Sequence, residues 1–425
     1  MRKETWAPGF TALCLGQFLA HQTGLTFSVL IPVLTSEWRI SASQAGVILG
    51  AFQLGTLGAY VGVGFLLDRM RSKPIMVWSA ALVGIGDLLF ALSARDFVSG
   101  VIFRLLVGIV LGGLYLPALK QIAGTIPLDR RGTATGIYIA TIVLAYAVPL
   151  YYVGLLAPRI GWRSTMAGVG ALELMGALVM TWQVPNVPLP TMLRRLSPAR
   201  YVGDVLRNRP ARRVILAYTG HNWELFGMWG WLTPFMVTML LARGSTQGDA
   251  LARGGMLAAG AIGLGGAIGA LVGGRLSDHL GRAETATMML SVSLLCSIVF
   301  GWLFMAPLIL LIGVALLYGV VSLADSPSYS ASLMEVVPPQ SLGGAFSLQM
   351  LIGWGATVLA PPAVGIVLDL TRAGRLSPPA QWGSAFALLA LGPLAGILAL
   401  KPLWARRRAD LPRVAQRGGT GPGAG

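Results

Sequence analysis

The stretch Gly64-Phe65-Leu66-Leu67-Asp68-Arg69-Met70-Arg71-Ser72-Lys73 returns 210 residues later as Gly274-Arg275-Leu276-Ser277-Asp278-His279-Leu280-Gly281-Arg282. Each copy closes an apolar run with the frame Gly-x-Leu-x-Asp and opens a short basic turn. The same offset carries Pro117 to Pro327, and nearly the same offset carries Pro127 and Gly132 to Pro338 and Gly343. One coincidence would decide little. Several in one register point to the duplication of a unit roughly 200 residues long.

Working outward from these two turns, apolar stretches recur along the whole chain. They fall at 10–34, 44–67, 74–94, 97–119, 133–157 and 164–184, then at 213–241, 251–276, 285–305, 307–333, 342–369 and 380–403. Each is long enough to cross a hydrocarbon core about 30 Å thick at 1.5 Å of rise per residue. Only 11% of the residues are charged, against about a quarter in a soluble domain, so lipid rather than water is the main solvent. The 56 glycines fit the same reading, because small residues let transmembrane helices approach closely. The first stretch is too long for a signal-peptide core and is expected to be retained. The expected fold is therefore an all-α integral membrane protein with twelve transmembrane helices in two pseudo-symmetric six-helix bundles. The units are residues 1–184, a basic cytoplasmic linker at 185–212, residues 213–404, and a disordered cytoplasmic tail at 405–425. Tyr201, Val202, Val205 and Leu206 among the linker arginines suggest a short helix lying on the membrane surface.

A net charge of +16 raises the question of nucleic acid, and the placement of the charge answers it. Of the 32 lysines and arginines, 23 fall on the side of the termini and linker and 8 in the opposite loops, with Arg104 alone inside a helix. The positive-inside rule then sets both termini in the cytoplasm of a multi-pass protein of the cell membrane, and no nucleic-acid partner is expected. Cys14 and Cys296 lie within apolar helices, where they pack rather than pair. Three scattered histidines and two cysteines make no metal site. The chain has no Gly-x-x-x-x-Gly-Lys-Ser/Thr loop, no cofactor motif and no nameable nucleophile and base, so neither ATP nor enzymatic chemistry is expected.

The two turns that open this section resemble the loop between the second and third helices of the major facilitator superfamily, Gly-x-Leu-x-Asp-Arg-x-Gly-Arg-Lys. Gly64, Leu66, Asp68, Arg69 and Lys73 match in the first copy, where Arg71 and Ser72 replace Gly and Arg. In the second copy Gly274, Leu276, Asp278, Gly281 and Arg282 match and His279 replaces Arg. Arg104-Leu-Leu-Val-Gly108 is similar to the fourth-helix Arg-x-x-x-Gly pattern associated in that family with proton coupling. Pro149 and Gly154 survive from a fifth-helix pattern of drug/proton antiporters whose flanking glycines are missing here. Gly161-Trp162-Arg163 is also family-like, with Trp382 as its echo in the second half. The resemblance implies a cavity between the halves lined by the first, fourth, seventh and tenth helices. It also implies a charged latch on the cytoplasmic side, expected at Asp68, Arg69, Asp278, Arg282 and Glu335. Physically, an Asp at a helix end accepts bonds from the free N–H groups of a neighbouring helix start while Arg side chains offset its charge.

Ionisable groups inside a bilayer cost at least about 2.5 kcal/mol each near its centre, so those that remain usually face a cavity. They are His21, Asp87, Arg104, Glu173, His221, Glu224 and Asp325. Aligning the first helices of the halves on Pro32 and Pro234 sets Gln22 opposite Glu224 and His21 opposite Trp223. His221, Glu224, Met228 and Trp231 share one face by three- and four-residue spacing. Desolvation disfavours the charged form of a carboxyl, which suits Glu224 to take and release a proton, with His21 or His221 sharing the task. Arg104 offers a permanent cation to an anionic solute or to a carboxyl. Tyr318, Ser322, Asp325 and Tyr329 form a polar face on the tenth helix. Asp87 and Glu173 fall on the third and sixth helices, which the resemblance implies are peripheral, and they are expected to bond their neighbours. Trp6, Trp38, Trp78, Trp302 and Trp404 near span ends are expected to anchor at the interface.

The function these residues suggest is secondary active transport of a small solute by alternating access, proton-coupled, with a small organic anion or aromatic compound preferred. The expected partners are the solute, protons and the lipid bilayer, with the chain working as a monomer. Two alternatives stay open at this point: a proton-driven multidrug efflux pump, and a membrane sensor or interaction protein that keeps the fold without turnover.

Overall fold

A computed structural model of the protein describes residues 9–67, 69–187, 203, 205–338 and 341–403. Twelve helices in it are long and apolar enough to cross a membrane. They are α1 (Phe10–Glu37), α2 (Ala42–Leu67), α3 (Ser72–Ser93), α4 (Phe97–Thr125), α5 (Arg131–Ile160) and α6 (Trp162–Gln183), then α7 (Arg209–Ala242), α8 (Gln247–Leu280), α9 (Arg282–Met305), α10 (Leu308–Val336), α11 (Leu342–Ala373) and α12 (Pro378–Leu403). Most of the linker, Asp68, Trp6 and Trp404 lie outside the described residues. Leucines and isoleucines such as Leu92, Ile309, Leu359 and Leu398 stand exposed around the bundles, as does Trp182. Apolar surface of that extent belongs against lipid.

Local sequence sets the helix ends. Asp96 accepts from the backbone N–H of Ser99 while Ser99 bonds back, a capping box that starts α4. The Ser99 N–H and hydroxyl hold the Asp96 carboxyl below its ordinary range. Gly161 and Gly281 take positive φ values of 82° and 109° at the turns into α6 and α9, where a side chain would be strained. Each immediately precedes the first residue of its helix, Trp162 and Arg282.

Four of the described helices are irregular at depth, α12 by a turn at Ala390. α1 tightens into a 3-10 turn at Gln22–Leu25, α8 widens into a π turn at Gly260–Gly265, and α10 breaks at Asp325 ahead of Pro327, which has no N–H to give. In α1 the Thr23 carbonyl at the break accepts the Thr26 N–H and hydroxyl and also a donor from another helix, Arg104. Such interruptions are tolerated in a membrane only where protein re-satisfies the backbone.

The bundles meet chiefly through glycines. A Cβ added at Gly46 would lie 2.4 Å from the Pro361 carbonyl oxygen, one at Gly50 2.5 Å from that of Val358, and one at Gly365 2.3 Å from that of Ala42. Between α5 and α8, Gly154 and Gly255 abut the carbonyls of Leu251 and Leu150. Ser28 of α1 donates to the Gly230 carbonyl of α7 at 2.7 Å. Asp369 near the end of α11 accepts from the N–H groups of Ala42 and Ser43, which begin α2, at 3.0 and 2.8 Å. These contacts lie toward the face away from the termini. Toward the other face, a Cβ at Gly58, Gly62, Gly132 or Gly136 meets nothing within 4 Å, so the close fit between bundles fades there.

One expectation about anchoring is corrected. Trp38 is not a lipid-facing anchor but a core residue, T-shaped against Phe90 and Trp162 at 6.1 and 5.8 Å. Trp162 Nε1 donates to Glu37 at 2.7 Å and Arg163 lies 4.3 Å over its ring, so the Gly161-Trp162-Arg163 run closes the end of the first bundle away from the termini. Trp78 and Trp302 are exposed, as interfacial anchors would be.

Candidate functional site

In the second bundle, three helices bring polar groups to one buried place. Glu224 of α7 accepts at Oε1 from Ser293 Oγ at 2.7 Å and Ser297 Oγ at 2.6 Å, both on α9. Ser297 in turn bonds the Tyr318 hydroxyl of α10 at 2.7 Å. One turn of α7 earlier, His221 Nδ1 lies 2.9 Å from Asp325 Oδ1, and Tyr329 donates to the other Asp325 oxygen at 2.5 Å. The His221 ring stacks at 24° on Tyr218 and tilts against Tyr329. Glu224, His221 and Asp325 interact electrostatically, so a charge change on one is felt by the others. Every one of these side chains is buried. Hydroxyls that bond a carboxylate hold it in place, and a His–Asp contact of this length becomes an ion pair when the imidazole gains a proton.

In the first bundle, the charged groups gather on the α1 break. Arg104 Nη1 donates to Thr23 Oγ1 at 2.6 Å and Nη2 to the Thr23 carbonyl at 3.1 Å, while Asp87 Oδ1 lies 3.6 Å from Nη1. Glu173 accepts the Thr23 N–H at 2.9 Å. The guanidinium lies 4.3 Å over the Phe52 ring. Asp87 and Glu173 thus bond neighbouring helices, and Arg104 is held within its own bundle.

A third feature joins the halves. His21 packs on Tyr146, Tyr146 on Trp229, Trp229 on Phe226, Phe226 on Trp354, Trp354 on Tyr60 and Tyr60 on Tyr115, with centroids between 5.5 and 6.4 Å. Tyr115 stacks at 25° on Tyr138. This seam passes from α1 and α5 through α7 and α11 to α2 and α4. Trp354 Nε1 and both amide atoms of buried Gln349, on the same helix, have no hydrogen-bond partner.

The other residues singled out in the sequence are distributed as follows. His21 Nδ1 lies 2.9 Å from the Gln17 carbonyl; Gln22 donates to Phe18 O and accepts from Tyr152 at 3.1 Å. Trp223 points to α12, 3.4 Å from Leu388 O, and Trp231 donates to Pro361 O at 2.9 Å, so neither joins the Glu224 cluster. Ser322 is buried and bonds back to Gly319 O. Arg282 contacts Asp278 at 2.5 Å and Glu335 at 3.4 Å, an exposed cluster within the second bundle alone. Exposed pairs of this kind are worth little in water, about 0–1 kcal/mol. Asp68 lies outside the described residues. Sequence reasoning missed Ser293 and Ser297, whose i, i+4 spacing on an apolar helix was the available signal, and the seam residues Tyr60, Phe226 and Trp354.

Twelve membrane helices in two bundles that pack on each other through glycines and an aromatic seam, with titratable groups buried at depth, define a polytopic helical membrane protein built of two halves. The chain belongs to the Major Facilitator Superfamily, whose profile matches residues 13–361. A probable sulfoacetate transporter of Cupriavidus necator is 24% identical over 41% of each chain, so the match spans about two fifths of that relative. The gallate transporter of Pseudomonas putida is 22% identical over 67% of this chain and 69% of its own. The crystal structure of the nucleoside transporter NupG superposes with a TM-score of 0.74 at 14% identity, covering 93% of this chain and 99% of that one, a likeness of fold.

Proposed function

We propose that the chain carries a small aromatic or other organic anion across the cell membrane by alternating access, coupled to protons through Glu224. The observation that carries the reading is the aromatic seam between the bundles, with the unpartnered Trp354 Nε1 and Gln349 amide beside it. A flat ring stacks on such side chains, each aromatic contact adding about 0.5–1.5 kcal/mol, while free donors orient a carboxylate or hydroxyl. His21 closes one end of the seam. A neutral imidazole that gives its Nδ1–H to Gln17 O keeps Nε2 as an acceptor for a hydroxyl of the solute. The named relatives support the solute class, since sulfoacetate and gallate are both organic anions. The charge bias of the loops supports cytoplasmic termini.

Glu224 is the coupling group in this reading because its carboxyl is buried, hydrogen-bonded on one oxygen, and electrostatically linked to His221 and Asp325. The test is uptake by purified protein in vesicles, with gallate as probe and an imposed proton gradient. Wild-type protein should concentrate the probe. Glu224→Gln should abolish gradient-driven accumulation and retain exchange of probe for probe. Undiminished accumulation in that variant sinks the coupling assignment, and failure of the wild type to move any aromatic carboxylate sinks the solute class.

A further inference from the structure

Asp87, Arg104 and Glu173 are buried charged groups that the proposed coupling leaves unused, and their arrangement has a missing hydrogen. All three are at most 1% exposed. Arg104 spends its two terminal nitrogens on Thr23, with Asp87 alongside. Glu173 uses Oε1 on the Thr23 N–H. No hydrogen bond of normal geometry satisfies Asp87 Oδ1, Asp87 Oδ2 or Glu173 Oε2, although Arg104 Nη1 at 3.6 Å and the Thr23 hydroxyl act on Asp87, and the two carboxyls act on each other.

The surroundings do not supply what is lacking. From α5 the titratable groups that face the cluster are the hydroxyls of Tyr146 and Tyr152. α2 presents the Phe52 ring, which is uncharged. α1 presents Thr23, with His21 set against Tyr146 and holding Gln17 O through Nδ1. α4 supplies Arg104, the cation acting on both carboxyls. Two acids and one base therefore face one another in a dry interior. Two carboxylates so placed do not both ionise, and a proton between them provides the absent donor and leaves the cluster neutral.

We infer that Asp87 and Glu173 share one proton, making a second proton-binding site in the first bundle whose occupancy is tied to the break in α1. The tie is Thr23, which gives its N–H to Glu173 and its carbonyl and hydroxyl oxygens to Arg104. Five residues further on, Ser28 bonds across to Gly230 and helps close the bundles together. Movement of α1 at the 3-10 turn changes the number of bonds that Glu173 and Arg104 keep. Loss of the proton leaves one uncompensated negative charge and favours the arrangement in which Arg104 turns fully to the carboxyls. The inference does not rest on Glu224 carrying the coupling proton.

Infrared spectroscopy of the full chain in lipid nanodiscs tests it in a Glu224→Gln background, which removes the other proposed proton carrier. At neutral pH that protein should show a carboxylic-acid C=O band that shifts in heavy water and disappears on alkalinisation. Adding Glu173→Gln, or separately Asp87→Asn, should remove the band. Absence of the band in the Glu224→Gln protein overturns the inference without any further variant, and so does a band that survives both substitutions. If one substitution prevents folding, the other gives the same reading. Spin labels at exposed Arg95 and Arg372 follow the coupling to closure: the distance between them should change with pH in the Glu224→Gln background and lose that response with Glu173→Gln. A pH-independent distance in the Glu224→Gln protein overturns the link to α1.

Discussion

Trp354 contributes two things at once, a face and an unmet donor. Its ring is packed between Tyr60 of the first bundle and Phe226 of the second, at 5.5 Å from each, while its Nε1 has no acceptor. A buried N–H without a partner costs roughly 1–3 kcal/mol, a cost that a bound oxygen relieves. Trp354→Phe keeps the ring and removes the donor; Trp354→Ala removes both. The expected order of affinity for an aromatic carboxylate is wild type, then Phe, then Ala, with the Phe variant weakened about tenfold if one hydrogen bond of about 1.4 kcal/mol is lost. Equilibrium binding to purified protein measures this. Equal affinities for wild type and Phe would remove Trp354 Nε1 from the solute site while leaving its ring in place.

Helix ends and interruptions decide how these side chains meet. Asp369 of α11 caps the start of α2 across the interface, a carboxylate at a helix N-terminus worth roughly 0.3–1 kcal/mol, and the glycines beside it let the two backbones touch. Asp369→Ala should loosen that end, shifting the Arg95–Arg372 label distance toward longer values; an unchanged distribution would show that the glycine packing alone holds the closure. Part of this was legible beforehand. The repeated turns, the twelve spans and the shared face of His221 and Glu224 followed from spacing along single helices. The partners of Glu224 did not, because serines in apolar helices commonly bond their own i−4 carbonyl, as Ser291 does with Thr287, and nothing in the sequence marks Ser293 and Ser297 as reaching outward instead. Nor did the meeting of Asp87, Arg104 and Glu173, since they lie on three different helices that converge on Thr23, and nothing in the spacing along any one helix marks that residue as their shared partner.

At the scale of the whole molecule, the two bundles are each tightly packed and are joined mainly over the end away from the termini. In the alternating-access cycle proposed above, the molecule passes between two states that differ in which end of the interface is closed. Fixing the closed end should therefore stop turnover without touching either buried carboxyl site. A Cβ built at Gly365 comes 2.3 Å from the Ala42 carbonyl oxygen and 2.8 Å from the Ser43 Cα, so a cysteine there needs the two backbones to part slightly, to a separation that a disulfide can bridge. In a background with Cys14 and Cys296 replaced by alanine, Ser43→Cys with Gly365→Cys should lose net uptake on oxidation and recover it on reduction, while each single-cysteine protein is indifferent to oxidant. Because the bridge spans α2 and α11 only, solute binding from the open side should persist in the oxidised protein. Full transport by completely cross-linked protein would mean that the interface at Ser43 and Gly365 does not open during the cycle, and the exchange between two closed ends would have to be abandoned for this chain.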